Sequence, residues 1–247
     1  MPQNERLQKI LSQLGLGSRR EMEKKIAQGE VSINGVVAKL GDKAGPSDKI
    51  MLKGQPLKNP LKRATETRVI MYHKPVGEIC SRSDPKYTQT VFDHLPRLPT
   101  GRWVQVGRLD INTSGLLLFT NEGELANQLM HPSYGLEREY AVRVRGKVSD
   151  DMIRTLLKGV MLEDGIAKFR RIIYQGGEGV NSWYHVTLTE GRNREVRRLW
   201  NSQHIEVSRL IRIRYGSVSM PRSLSRGQWK ELSPEEIISL RPDPKKC

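Results

Sequence analysis

The sequence predicts an α+β chain in two units, a small one at the N-terminus and a larger one rich in strands. Three observations carry this. Helical periodicity in the first thirty residues gives way to a hairpin signal at Asn34-Gly35. Residues 57–67 are polar and rich in Lys, Pro and Thr, the composition of a linker. Beyond them, short apolar runs, some alternating and some continuous, are separated by Gly- and Pro-marked turns. We therefore place a first domain at 1–60, a linker at 61–67 and a second domain at 68–247.

In the first domain Leu7, Ile10, Leu11 and Leu14 share one helical face, and Gly15 and Gly17 end that helix. Ser18 stands three residues before Glu21, the spacing of a capping box, and the helix it opens buries Met22 and Ile26. Val31 and Ile33 lead into the hairpin turn. Val37, Ile50 and Leu52 are expected to complete the apolar face of a small sheet.

The second domain begins with a strand near 68–72, stopped by a turn at Lys74-Pro75-Val76-Gly77. Residues 78–101 read as loops anchored by Val91, Phe92, Leu95 and Leu98. The run 116–119 reads as a buried strand, followed by a helix with Leu125, Leu129 and Met130 on its inner face. Tyr140, Val142 and Val144 alternate with Ala141, Arg143 and Arg145 as a half-buried strand should. Ser149 caps a helix that packs through Met152, Ile153, Leu156 and Leu157. Val196, Leu199 and Trp200 share a helical face, and Val207, Leu210, Ile211 and Ile213 form a strand with one break in alternation. Leu232, Ile237, Ile238 and Leu240 pack the tail.

Lys and Arg total 42 against 27 Asp and Glu, a net charge of +15. Such a field favours a polyanionic partner, though charge alone leaves RNA, DNA and anionic membrane open. No apolar run is long enough to span a bilayer, and the polar N-terminus has no signal-peptide pattern. The two cysteines, Cys80 and Cys247, suggest neither a metal site nor a disulfide framework. A reducing cytoplasm is the expected compartment.

Three motifs carry chemistry. The first is GRLDINTSGLLLFTNEGELANQLMHPS at 107–133, where Asp110 is an acid in a basic chain. By itself Asp110 could cap a turn or pair with Arg108. The second is EREYAVRVRG at 137–146, where Tyr140 alone would be read as a core aromatic. The third, EGRNREVRRLW at 190–200, leads to a further basic strand and alone would be a basic surface.

Together these motifs resemble the pseudouridine synthases, in particular the Rsu-type branch that acts on ribosomal RNA. The resemblance implies that Asp110 is the essential catalytic residue and that Tyr140, in Arg138-Glu139-Tyr140, stacks on the target base. It also implies that Arg197 pairs with Asp110 and that Leu210 lies beneath the base. Tyr72, Lys74, Pro75 and Gly77 fit a further element of the family; Lys74 and Pro75 are expected to support the cleft, with Lys74 also counted among the RNA-facing residues. Arg192 and Arg194 are expected to meet phosphate at a helix start, and Arg108 to hold a phosphate or fill the space the base vacates.

Residues 3–56 resemble the small RNA-binding domain named after ribosomal protein S4, with Arg19 and Arg20 at its phosphate-contacting positions. The implied second domain is built on a mainly antiparallel mixed sheet. The implied partner is large-subunit (23S-type) ribosomal RNA or an assembly intermediate of it. We expect no cofactor, no metal, no membrane and a monomer. The competing expectations are a synthase for small-subunit ribosomal RNA and a noncatalytic ribosome-assembly protein. A DNA-binding regulator leaves most of the chain unexplained.

Overall fold

The computed structural model describes residues 4–62, 66–82, 84, 87 and 89–242. Residues 63–65 of the expected linker and Cys247 lie outside the described residues. The chain packs as two units. One holds the chain up to Thr67 with Pro96–Val104 and Asn121–Gly123, and the other holds Arg68–Leu95, Gln105–Thr120 and Glu124 onward.

The smaller unit opens with β1 (Glu5–Arg6), α1 (Leu7–Gln13) and α2 (Arg19–Ala27). Ser18 and Glu21 form the expected capping box at the start of α2, a feature that contributes about 1 kcal/mol. Four strands follow: β2 (Val31–Ile33), β3 (Val36–Val37), β5 (Ile50–Leu52) and β6 (Gln55–Pro56). They form an antiparallel sheet in the order β3-β2-β5-β6, while β4 (Lys43–Ala44) pairs with β1. Leu7, Ile10, Leu11, Met22, Ile26 and Ile50 fill the core. Burying each such side chain contributes roughly 1.5–3 kcal/mol.

Two expectations change here. Val37 is 57% exposed, because β3 is a two-residue edge strand of the sheet. The polar stretch is also partly packed: Leu57 and Leu61 lie on the core, and buried Asn59 donates to the carbonyls of Gly45 and Asp48. Segment 96–104 joins this unit through a close approach. A Cβ on Gly101, at φ +81°, would lie 2.7 Å from the Gln13 carbonyl oxygen.

The larger unit is organised by a nine-stranded sheet. Its strands are β7 (Val69–Lys74), β8 (Val104–Val106), β9 (Ser114–Thr120), β10 (Arg138–Arg145), β13 (Arg171–Glu178), β14 (Asn181–Leu188), β15 (Glu206–Tyr215), β16 (Val218–Ser219) and β17 (Trp229–Glu231). The order is β13-β14-β10-β15-β9-β7-β17, with β16 on β15 and β8 on β9. In that order the β15–β9 pair is parallel and the others are antiparallel. The mainly antiparallel mixed sheet is as expected.

A separate hairpin is formed by β11 (Val160–Leu162) and β12 (Gly165–Ala167), and the helices are α3 (Gly123–Met130), α4 (Asp150–Lys158), α5 (Glu195–Asn201) and α6 (Pro234–Leu240). β9 is buried along its whole length, which explains its unbroken apolar run. In α3, Leu125, Ala126 and Leu129 face inward, whereas Met130 is 38% exposed. Ser149 caps α4 by accepting from the Met152 N–H. The break in β15 appears as two register shifts against β10, which leave Ser208 and Ile213 without a paired residue. No helix among the described residues is long and apolar enough to cross a membrane.

Candidate active site

The loop before β9 carries Asp110, and the main chain of that loop is held from two directions. Lys74 ends β7 with its side chain 0% exposed. Its ammonium donates to the carbonyls of Pro75 at 2.9 Å, Asp110 at 3.2 Å and Thr113 at 2.9 Å. From α5, Arg197 donates through Nη2 to the Asn112 carbonyl at 2.9 Å and through Nη1 to the Val207 carbonyl at 2.8 Å. Within the loop the Thr113 N–H closes a turn onto the Asp110 carbonyl, and the Gly77 N–H donates to Ile111. On the N-terminal side the Leu109 N–H donates to the Cys80 thiol at 3.4 Å.

Burial is the main influence on the ionisable groups here. It lowers the pKa of Lys74, against which Cys80, Glu78 and Asp110 act. It raises that of Cys80. It lowers that of Arg197, with the Arg194 charge adding to the effect and Asp110 opposing it. Glu78 is buried and accepts from the Tyr72 hydroxyl at both carboxylate oxygens, 2.9 and 2.8 Å, with His94 at 3.5 Å. Burial raises the pKa of Glu78, and the Tyr72 bond works against that rise.

Sheet register places further residues. Tyr140, Arg212, Gly115 and Lys74 occupy one row across β10, β15, β9 and β7. Gly115 is required there. Its φ is +107°, and a Cβ would lie 2.2 Å from the Arg212 carbonyl oxygen. This accounts for the glycine of the T-S-G-L sequence by steric exclusion. A cleft of about 1090 Å³ opens beside the loop, lined in part by Pro75, Asn112, Ser114, Arg197 and Leu210. Asp110 is half-buried and lies two residues before Asn112; it is not itself part of the cleft wall.

A sequence model of RNA pseudouridylate synthases matches residues 68–202, which contain the Asp110 loop, Tyr140 and Arg197. The chain belongs to that family. A model of the S4 domain matches residues 5–50. Among relatives, the ribosomal large subunit pseudouridine synthase B of Yersinia pestis is 60% identical over 239 residues, covering 96% of this chain and 75% of its own. The synthase of the same name from Escherichia coli (strain K12) is 55% identical over 240 residues, covering 96% and 82%. A crystal structure of a pseudouridylate synthase superposes with a TM-score of 0.65 at 27% identity, covering 95% of this chain and 99% of that one.

Within this pseudouridylate synthase, the expected site residues divide into two groups. Asp110, Tyr140, Arg197 and Leu210 all fall in the larger unit, Tyr140 and Leu210 being 8% and 6% exposed. Arg108 and Arg194 are exposed, as are Arg19 and Arg20 on α2 of the smaller unit. Three expectations need correction.

Arg197 forms no ion pair within 4.0 Å of Asp110; its Nη1 and Nη2 are spent on carbonyls, so it braces the loop. Lys74 is not an RNA contact, since its ammonium is buried and gives three hydrogen bonds to main chain. Arg192 is likewise committed to protein. It bonds Glu190 and the carbonyls of Asp164, Gly165 and Ile166, and so ties the β11–β12 turn to α5. Just before α5 the Arg192 N–H donates to the Glu195 carboxylate.

Two residues escaped the sequence reading. Arg212 is 2% exposed, donates from Nε to the Leu116 carbonyl at 2.7 Å and lies 5.1 Å from the Tyr215 ring centre. Its phase with Leu210 on one strand was the available signal. Glu78 offered none, because its partners come from β7 and from the loop holding His94.

Proposed function

We propose that this synthase converts uridine to pseudouridine in large-subunit ribosomal RNA, with Asp110 as the catalytic residue. The supporting observation is the loop. A chain with a net charge of +15 uses two cations to fix the main chain around this one carboxylate, beside an arginine-lined cleft. The named large-subunit enzymes at 55–60% identity support the choice of substrate.

The reaction breaks the N1–C1′ bond, turns the uracil and joins C1′ to C5. The C5 proton departs and N1 gains one, so no redox step or group donor is required. Asp110 attacks C1′ or assists formation of a glycal, which requires its ionised form. Tyr140 and Leu210 grip the freed base, and confinement raises its effective concentration for recapture. The target nucleotide must first leave its stack, at a cost of a few kcal/mol. The S4 domain, through Arg19 and Arg20, contributes phosphate contacts that position the RNA.

The test is site mapping of pseudouridine in large- and small-subunit ribosomal RNA treated with wild-type protein or Asp110→Asn. Wild type is expected to modify large-subunit RNA. The variant should form no product while its RNA affinity stays within about threefold, a change of less than ~1 kcal/mol. Normal product from the variant would remove Asp110 from the mechanism. Modification confined to small-subunit RNA, or none by wild type, would select one of the competing readings.

A further inference from the structure

We propose that Arg209 and Arg226 form a phosphate clamp across the cleft, gripping the RNA backbone on either side of the target nucleotide. The inference rests on the uridine-isomerising reading and adds two residues that it does not use. It starts from where each guanidinium of the cleft region spends its donors.

Most of these arginines are committed to protein. Arg198 is bidentate on Asp164 at 2.8 Å through each nitrogen. Arg192 bonds one carboxylate and three carbonyls, and Arg197 bonds two carbonyls. Arg214 bonds Glu137 and Glu139 and the Gly216 carbonyl. Arg194, Arg209 and Arg226 differ. Among the described residues their guanidinium groups have no hydrogen-bond or ion-pair partner, all three residues are exposed, and all three line the cleft. Only Glu206 among the lining residues is acidic.

Arg209 and Arg226 come from separate elements with firm supports. Arg209 lies in β15 directly before Leu210 and opposite Arg143 of β10. Arg226 lies in the loop before β17, which is anchored to β7. The Gly227 N–H donates to the His73 carbonyl at 2.8 Å, the His73 N–H donates to Gln228 at 2.9 Å, and His73 Nδ1 lies 2.7 Å from the Leu224 carbonyl oxygen. His73 is followed directly by Lys74 and Pro75. The strand end that holds the Asp110 loop therefore also sets the height of Arg226.

Two uncompensated guanidinium groups, carried by separately anchored elements that line one cleft with Leu210, suit phosphates of the RNA backbone flanking an everted nucleotide. Phosphate accepts the bidentate fork that each arginine leaves unused. Such contacts position the backbone without reading sequence.

The experiment measures binding of an unmodified transcript of large-subunit ribosomal RNA as a function of salt, alongside single-turnover conversion at saturating RNA. Arg209→Gln and Arg226→Gln should each weaken binding and reduce the slope of log K against log salt by about 0.7–0.9. The saturated single-turnover rate should stay within about twofold, a barrier change of under ~0.5 kcal/mol. Arg226→Lys should retain most of the slope. Arg222→Gln, an exposed arginine of the same loop outside the cleft lining, serves as the charge-matched control and should leave affinity, salt slope and rate all nearly unchanged.

The clamp is overturned if Arg226→Gln behaves as Arg222→Gln, or if it lowers the saturated rate with binding intact. Conversion by wild-type protein in the same assay tests the underlying reading separately. A failed clamp with normal conversion therefore differs from a failed assignment of activity.

Discussion

Lys74 and Arg197 both donate to main-chain carbonyls of the Asp110 loop, yet their surroundings are opposite. Lys74 is sealed in the protein with three acceptors for its ammonium. Arg197 is half-buried, lines the cleft, and has an Nε–H without a partner. The first is a fixed strut: moving it would take one donor from each of three carbonyls and leave a charge short of solvent. The second borders the cleft and keeps a buried Nε–H unused. One loop thus has a sealed attachment and one at the cleft wall.

The largest expected effect breaks the sealed side. Lys74→Met should lower stability by about 3 kcal/mol, because a buried polar cluster loses its donor, and should abolish conversion. Chemical denaturation and RNA turnover check this. Near-normal values for both would show that the three hydrogen bonds are dispensable. Next, Arg197→Lys keeps the charge but cannot span the Asn112 and Val207 carbonyls as a fork. The saturated rate should fall about 100-fold, the cost of misplacing a reacting group by roughly 1 Å, with RNA affinity nearly unchanged. A loss confined to affinity would move Arg197 among the phosphate contacts.

The smallest effect concerns Glu78, on the side of Lys74. Its folded pKa lies above 4.5 through burial. Between the ordinary and the raised value the native state binds more protons than the unfolded chain, so this group lowers stability as pH rises. Glu78→Gln should remove that dependence, and the melting temperature of the variant relative to wild type should climb from about pH 4 toward neutrality. A constant difference across that range would show that Glu78 does not titrate in this way.

Local rules made much of the fold legible in advance. The Ser18–Glu21 box, the Ser149 cap, the Asn34-Gly35 turn and the continuous burial of β9 follow from residues within a few positions of one another. Asp110 and Tyr140 were singled out only through the motifs around them. Donor assignments were not. Arg192, Arg194, Arg197 and Arg198 look alike along one short segment, but three of them bond the β11–β12 turn, β15 or the Asp110 loop, whereas Arg194 has no side-chain partner among the described residues. The exposure of Val37 was hidden for a related reason: alternation marks an apolar face without saying whether anything covers it.

The parallel contact of β15 with β9 rests on two residue pairs, Ile211 with Ser114 and Arg212 with Gly115. The sheet is therefore two antiparallel leaves bound along a short spine. The carboxylate-bearing loop belongs to one leaf, while Tyr140 and Leu210 belong to the other. The gap between the Asp110 loop and the side carrying Tyr140 and Leu210 is thus governed at the spine, and a single methyl group added at Gly115 would wedge the leaves apart.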